Sequence, residues 1–358
     1  MVLSMKSNYS EMFGIIPPYI IRAIEQNSNE EEESNVAKAN LKFDNEFREQ
    51  RAATSEVMSK GDVYINRECI QKQRFIYDAD KSLNPMPLVR SEGSVTVNDV
   101  AVNEAYDGFG AAYDFFCHVF RRNSIDNHGL PLKGVVHYKA NFYNAFWDPV
   151  ETRVLFGDGD GKRFNRFTIA LEVIGHELTH AIIAHEGGLA YTGQTGALNE
   201  SIADVFGSLL KQYHLGQTHS EADWLVGVGI FTNQVQGEAL RSMKAPRTAF
   251  DDKVLGKDPQ PAHMKGFVTT RRDHGGVHIN SGIPNRAFYL AAKEIGGNAW
   301  DRAGLIWYNT LCDKTLKLNI NFKSFANRTL KHADILFGSE SHERKAVKAA
   351  WVDVGILA

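Results

Sequence analysis

The stretch Gly175-His176-Glu177-Leu178-Thr179-His180 constrains this chain more than any other. It lies inside an apolar run from Phe167 to Ala184 and reads His-Glu-x-x-His. On a helix, residues four apart stand one turn apart on the same face. His176 and His180 therefore project together, with Glu177 beside them. Two neutral imidazoles held in this way can bind one Zn²⁺, and the adjacent carboxylate then lies next to the metal's open position.

The 358 residues can bury a large core, and two or so domains are expected at this length. A formal net charge of -3 offers no basic field, which argues against a nucleic-acid partner. Cys69, Cys117 and Cys312 are scattered and odd in number, so neither a disulfide framework nor a zinc ribbon is expected; the reading is of buried free thiols. The first residues lack the apolar core and small-residue cleavage site of a signal peptide, and no window is long and apolar enough for a membrane span. The expectation is a soluble protein with no membrane association, cytoplasmic at synthesis, with export by a signal-independent route left open.

Residues 1–50 carry nine acids against five bases and differ in character from the rest. Ile15-Ile16-Pro17-Pro18-Tyr19-Ile20 reads as a rigid, apolar, extended or turn-like knot, because proline fixes its own φ and biases its predecessor. Glu30 to Glu33 reads as a solvated linker, and 35–59 as helical, without Gly or Pro. Short strands are expected at Asp62–Asn66, Arg74–Tyr77, Gly134–Lys139 and Thr152–Phe156, with a loop at Asn84–Pro87. A helix is expected over Asp99–Phe120, with Asn98 a plausible cap. Beyond the motif helix, which ends near Gly187-Gly188, the chain reads helical at about 197–213, 282–295, 299–313, 321–337 and 341–351. A strand-rich half thus precedes the motif and a helix-rich half follows it.

A catalytic zinc site needs a third protein ligand. Glu200, in Gly196-Ala197-Leu198-Asn199-Glu200-Ser201-Ile202-Ala203-Asp204, lies far enough after His180 for a loop and the start of an antiparallel helix. Asp204 is one turn further on the same face, placed to accept a proton from a ligand imidazole. Downstream, Asp273-His274-Gly275-Gly276-Val277-His278-Ile279-Asn280-Ser281-Gly282 reads as a Gly-rich loop in which His278 could stabilise an oxyanion and Asp273 fix its tautomer.

Taken together, HELTH, GALNESIAD and DHGGVHINSG, in this order, resemble the thermolysin family of zinc metallopeptidases over about residues 60–358. The resemblance implies that His176, His180 and Glu200 bind one catalytic zinc and that Glu177 is general base. It implies that Tyr191 and His278 stabilise the tetrahedral intermediate, that Asp204 and Asp273 orient His176 and His278, and that Asn199 belongs to the same supporting set. Arg241, in Leu240-Arg241-Ser242-Met243, would bind a substrate carbonyl. Asn144 and Ala145 would hold the substrate backbone as an added strand, although two extra residues follow before GDGDG. Phe164, Phe167, Val173, Val226 and Leu240 would wall the pocket for a bulky apolar residue just after the cut bond.

The chain also departs from the family pattern. Of the carboxylates that hold two calcium ions in larger members, only Glu172 and Asp223 remain, with Lys211, Leu225 and Val228 in place of acids. The double calcium site is therefore expected to be missing, with a salt bridge to Lys211 in its place; a single calcium elsewhere is left open. Pro17-Pro18-Tyr19 is similar to the short propeptide of the protealysin-like branch, which implies a segment set against the cleft that keeps the precursor latent, with removal somewhere within 45–62.

The expected fold is α+β, a thermolysin-like pair of lobes with a mixed, β-rich N-terminal lobe, a mainly helical C-terminal lobe and the zinc helix between them. The expected division is 1–55 propeptide, 56–195 N-terminal catalytic lobe and 196–358 helical catalytic lobe. The expected partners are a protein or peptide substrate and the chain's own propeptide, and a monomer is expected. A catalytically silent binding module is disfavoured because Glu177, Tyr191 and His278 are all present; a zinc aminopeptidase is disfavoured because no carboxylate-rich motif for a substrate amine is seen.

Overall fold

A computed structural model describes residues 14–52, 69, 71–82 and 86–358. The strand expected at Asp62–Asn66, residues 53–59 of the first expected long helix and residues 84–85 of the expected loop lie outside the described residues.

Two helices come first, α1 (Pro18–Asn27) and α2 (Glu31–Ala52), packed on one another as a hairpin. Proline suits the first position of a helix, where its missing N–H costs nothing. Pro17, at φ -64 and ψ 141, is the extended cap, and Pro18 starts the helix. The expected knot is thus extended only to Pro17; Tyr19 and Ile20 are helical. The acidic run is no solvated linker either. Glu31, Glu32 and Glu33 form the first turn of α2, where carboxylates favour the helix dipole. Glu33 is buried and pairs with Arg163, and Glu30 pairs with Lys162.

The strands are β1 (Arg74–Asp78), β2 (Leu88–Ser91), β3 (Leu132–Val136), β4 (Ala145–Asp148) and β5 (Arg153–Phe156), and α3 (Val100–Phe120) falls between β2 and β3. The side chain of Asp99, rather than Asn98, caps α3 by accepting the Val102 N–H at 3.1 Å. Among the described residues the strands form one mixed sheet in the order β2-β1-β3-β5-β4, with β1, β3 and β5 mutually parallel. β4, which begins inside the NAFW segment, pairs antiparallel with β5, Phe146 opposite Leu155, and leaves its other side as a sheet edge. α3 packs on β1 and β3. A smaller apolar cluster of Ala79, Val135, Tyr138, Phe142, Phe146 and Leu155 receives Phe43 of α2 against its rings.

The motif helix is α4 (Leu171–His185), which packs against β4 and against α5 (Gly193–Leu215). The α4–α5 approach depends on two glycines. A Cβ on Gly207 would sit 2.3 Å from the Glu172 carbonyl, and one on Gly175 would sit 2.9 Å from the Gly207 Cα. After short ladders of β6 (Leu225–Val226) with β7 (Arg241–Ser242) and of β8 (Asp251–Asp252) with β9 (Gly256–Lys257), the chain is mainly helical: α6 (Asp273–Asn280), α7 (Gly282–Ile295), α8 (Ala303–Leu311), α9 (Phe322–Phe337) and α10 (His342–Asp353). One continuous core joins both halves and also takes in Ile15, Ile16, Ile20, Ile21 and Ile24. Among the described residues no helix is long and apolar enough to cross a membrane.

The cysteines differ from expectation. Cys69 and Cys117 are joined in a disulfide that ties the stretch before β1 to α3; Cys312 is outside it. The bond depends on tertiary approach of residues 48 apart, which spacing alone does not disclose.

Candidate active site

α4 and α5 together present His176, His180 and Glu200 as a buried group whose ligand atoms lie within 4.8 Å of one another. Both imidazoles are oriented from behind. His176 Nδ1 donates to Asp204 Oδ1 and His180 Nδ1 to Asn199 Oδ1, each at 2.9 Å. A carboxylate can only accept, and the Asn199 Nδ2 donates elsewhere, to the Leu189 carbonyl at 3.2 Å. Both Nδ1 atoms therefore carry the ring proton, and both Nε2 atoms are left as acceptors. Those two acceptors face each other at 3.0 Å. Lone pairs so close need a Lewis acid or a proton between them. Glu200 Oε2, buried and without a hydrogen-bond partner among the described residues, lies 3.6 Å from His176 Nε2, and Glu200 Oε1 lies 3.5 Å from His180 Nε2. Two neutral nitrogens and one carboxylate oxygen converging on a buried point fit Zn²⁺.

Glu177 is fully buried on the same helix, and its Oε2 accepts the Trp147 N–H of β4 at 2.9 Å. Trp147 is a contact that the sequence does not announce, because it depends on the β4 edge lying over α4. Tyr191, in the turn before α5, donates to Glu200 and lies 3.2 Å from His278 Nε2. His278 is fixed by Asp273, which accepts from its Nδ1 at 2.6 Å and from its backbone N–H at 3.0 Å. The segment expected as a Gly-rich loop is a tight left-handed turn, positive in φ from Asp273 to Gly276, running into a helical turn at Val277. Burial opposes the charge on His278, yet Glu200 and Asp273 outweigh it and raise its pKa above the ordinary value. A cation held at Glu200 would act in the opposite sense.

Asp204 is the centre of a charged cluster. It accepts Arg241 Nε and Nη2 at 2.8 Å and Asn285 Nδ2 at 2.9 Å besides His176. Burial would raise its pKa, but Arg241 and His176 hold it well below the usual carboxylate range. Arg241 stands on β7 with a further donor, Nη1, which reaches the Ile15 carbonyl at 2.9 Å. Asn144 Oδ1 accepts the Ile16 N–H at 2.9 Å, and the Ala145 carbonyl accepts the Ile15 N–H at 3.2 Å. The residues expected to hold substrate thus hold residues 15 and 16 of the chain itself, and Tyr19 is half-buried, with its hydroxyl enclosed near Arg241 and Asp273. Phe164, Phe167, Val173, Val226 and Leu240 are all fully buried in the core that contains Ile15. Behind α4, Glu172 Oε1 accepts the Gly227 and Val228 N–H groups at 3.1 and 3.0 Å, with Lys211 Nζ at 3.5 Å; Lys211 also meets Asp223 at 2.8 Å.

Comparison with known proteins agrees with this geometry. Residues 25–184 match the family model of the thermolysin metallopeptidase catalytic domain, and residues 187–356 that of the thermolysin metallopeptidase alpha-helical domain. An extracellular metalloprotease of Pectobacterium carotovorum subsp. carotovorum is 48% identical over 345 residues, 96% of each chain. An extracellular minor metalloprotease of Serratia marcescens is 48% identical over 205 residues, 56% of each chain. Among solved structures, the precursor of protealysin, a metalloproteinase from Serratia proteamaculans, superposes with a TM-score of 0.85 at 48% identity, covering 96% of this chain and 99% of that one. Those names overturn the expectation of a cytoplasmic protein and point to secretion. The composition of the first residues does not decide the compartment, whereas the Cys69–Cys117 disulfide suits an oxidising one.

Proposed function

The chain belongs to the thermolysin family of zinc metallopeptidases, the M4 family, and on that premise we propose that it cuts internal peptide bonds and is kept latent by its own N-terminal segment. As a member it is a zinc-dependent hydrolase with the α+β, two-lobe fold of that family. The single observation that carries the site assignment is the pair of facing acceptors, His176 Nε2 and His180 Nε2, with Glu200 beside them.

In this reading His176, His180 and Glu200 hold zinc, which when bound polarises the scissile carbonyl and eases deprotonation of water. Glu177 takes the proton of the attacking water and passes it to the leaving nitrogen. Tyr191 and His278 donate to the developing oxyanion, with Asp273 keeping His278 in the donating form. Asn199 and Asp204 hold the ligand rings. Asn144, Ala145 and Arg241 grip the substrate backbone, and a bulky apolar residue after the cut bond enters the pocket walled by Phe164, Phe167, Val173, Val226 and Leu240. The burial of Ile15 in that core supports the preference.

Latency is supported by residues 14–16 lying on the same groups that would bind substrate, with Pro17, Pro18 and Tyr19 turning the chain into α1. The division proposed is 1–55 propeptide, 56–195 sheet-containing lobe and 196–358 helical lobe. The Lys211 contacts support a salt bridge in place of two calcium ions. Substrates are proteins and peptides met outside the cell, and the working unit is a monomer.

The test is cleavage of quenched peptides, carrying either a bulky apolar or a small residue after the target bond, before and after trypsin trimming, with and without a zinc chelator. Chelator-sensitive cleavage that rises on trimming and favours the bulky peptide is expected. No cleavage after trimming would sink the reading. Replacing Pro17, Pro18 and Tyr19 together should give premature activity; unchanged maturation would contradict the latency claim.

A further inference from the structure

Residues 14–16 do more than obstruct the cleft, because their backbone lies there in one consistent register. The Gly14 carbonyl oxygen is 3.3 Å from His278 Nε2, the nitrogen that Tyr191 also approaches. The next group along the chain, the Ile15 N–H, donates to the Ala145 carbonyl on the edge of β4. The Ile15 carbonyl then accepts from Arg241, and the Ile16 N–H donates to Asn144 Oδ1. Glu177 is anchored to the Trp147 N–H, two residues along the same strand from Ala145. The bond between Gly14 and Ile15 is therefore the one whose oxygen faces His278 and whose nitrogen lies on the strand beside Glu177.

Resting on the function proposed above, we propose that Gly14–Ile15 is itself a substrate bond, which the precursor hydrolyses within its own molecule. The C–N bond breaks, the hydroxyl of water joins the Gly14 carbonyl carbon, and its proton reaches the Ile15 nitrogen by way of Glu177. The products are a peptide of residues 1–14 and a chain that begins at Ile15. This cut leaves the protein latent. The Ile15 carbonyl and Ile16 N–H keep their bonds, and Ile20, Ile21 and Ile24 of α1 remain buried.

The residue before the bond is suited to this position. A Cβ on Gly14 would come within 2.6 Å of Asn144 Nδ2 and 3.0 Å of its Cγ. A side chain there must push aside the Asn144 side chain, the group that holds Ile16. Glycine thus leaves Asn144 room to hold the segment with Gly14 opposite His278.

Full-length, zinc-loaded protein is followed by intact mass and N-terminal sequencing over a wide range of dilutions, beside Glu177→Ala and Gly14→Ala proteins. The expected first event is loss of residues 1–14 at a rate independent of protein concentration, absent in Glu177→Ala. Misplacement in Gly14→Ala slows it by about a hundredfold. A second readout involves no turnover. In the Glu177→Ala background, Gly14→Ala lowers the melting temperature of the precursor. An intact Gly14–Ile15 bond in protein that cleaves peptides after trimming overturns this inference and leaves the proposed function standing. Absence of peptide cleavage as well overturns both. A cut whose rate rises with concentration overturns the intramolecular step, and an unchanged melting temperature overturns the close seating of Gly14.

Discussion

Asp204→Asn tests how His176 and Arg241 are coupled. Asp204 is fully buried and accepts four hydrogen bonds, two from Arg241, one from His176 and one from Asn285. Asparagine keeps the shape but loses the charge, and its amide must point a donor at a donor. Breaking one side of a buried ion pair costs about 3–5 kcal/mol, and retained packing favours the lower end. Loss of a carboxylate behind a ligand histidine weakens metal binding by about 10–100-fold, which is a further ~1.4–2.7 kcal/mol of stabilisation lost at a fixed free zinc level. Urea unfolding of metal-stripped and zinc-loaded protein, both in the Glu177→Ala background to prevent autolysis, separates the two effects. The stripped pair should differ by about 3 kcal/mol and the loaded pair by more. Because the Asp204 pKa is depressed in the fold, its stabilisation is present above the unfolded value of about 3.9 and is lost as pH falls through the folded value. The difference between parent and variant should then be flat above about pH 5 and shrink only in acid. Equal stability when stripped, together with unchanged zinc affinity, would refute the coupling.

Three further outcomes follow from the same structure. His137 is held by Asp158 at 2.9 Å and Asp99 at 2.8 Å, and these hydrogen bonds raise its pKa to about 9 against the opposing effect of burial. Its stabilisation is therefore complete below about pH 6.5 and is lost as pH rises through the folded value; after solvent screening the change is on the order of 1–2 kcal/mol, and His137→Gln should flatten it in unfolding measured from pH 6 to 10. Cys117→Ala opens a disulfide whose cysteines are 48 residues apart, and unfolding should show a loss of about 2–4 kcal/mol, with mild reductant giving the same loss in the parent only. Calorimetric titration of the trimmed protein with calcium should show no tight binding of two ions, since Lys211 supplies the positive charge beside Glu172 and Asp223; two tight sites would contradict this.

What was legible in the sequence was what depends on local spacing. His176, His180 and Glu177 follow from one helical turn, and Glu200 with Asp204 from the next helix. The helices α3, α4, α5 and α7 to α10 announced themselves by apolar periodicity and by glycines near several of their ends, whereas α6 read as a loop. What escaped notice depends on distant approach. β4 is four residues long and fully buried, so it shows no alternation of apolar and polar residues. The Cys69–Cys117 bond and the pairing of Glu33 with Arg163 join segments that sequence spacing cannot bring together. The first helix was missed because Pro17 and Pro18 read as breakers, whereas Pro18 initiates α1 and its apolar face completes the core of the catalytic lobes.

We propose that a metal held by His176, His180 and Glu200 acts with Glu177 as one hydrolytic unit. It is tested most directly by measuring zinc content and peptide turnover on the same samples of trimmed wild-type and Glu177→Ala protein, the latter trimmed by added trypsin. One zinc is expected in each, with turnover lowered by several orders of magnitude in Glu177→Ala and abolished in both by a chelator. Wild-type turnover in Glu177→Ala, or turnover that survives removal of the metal, would contradict it.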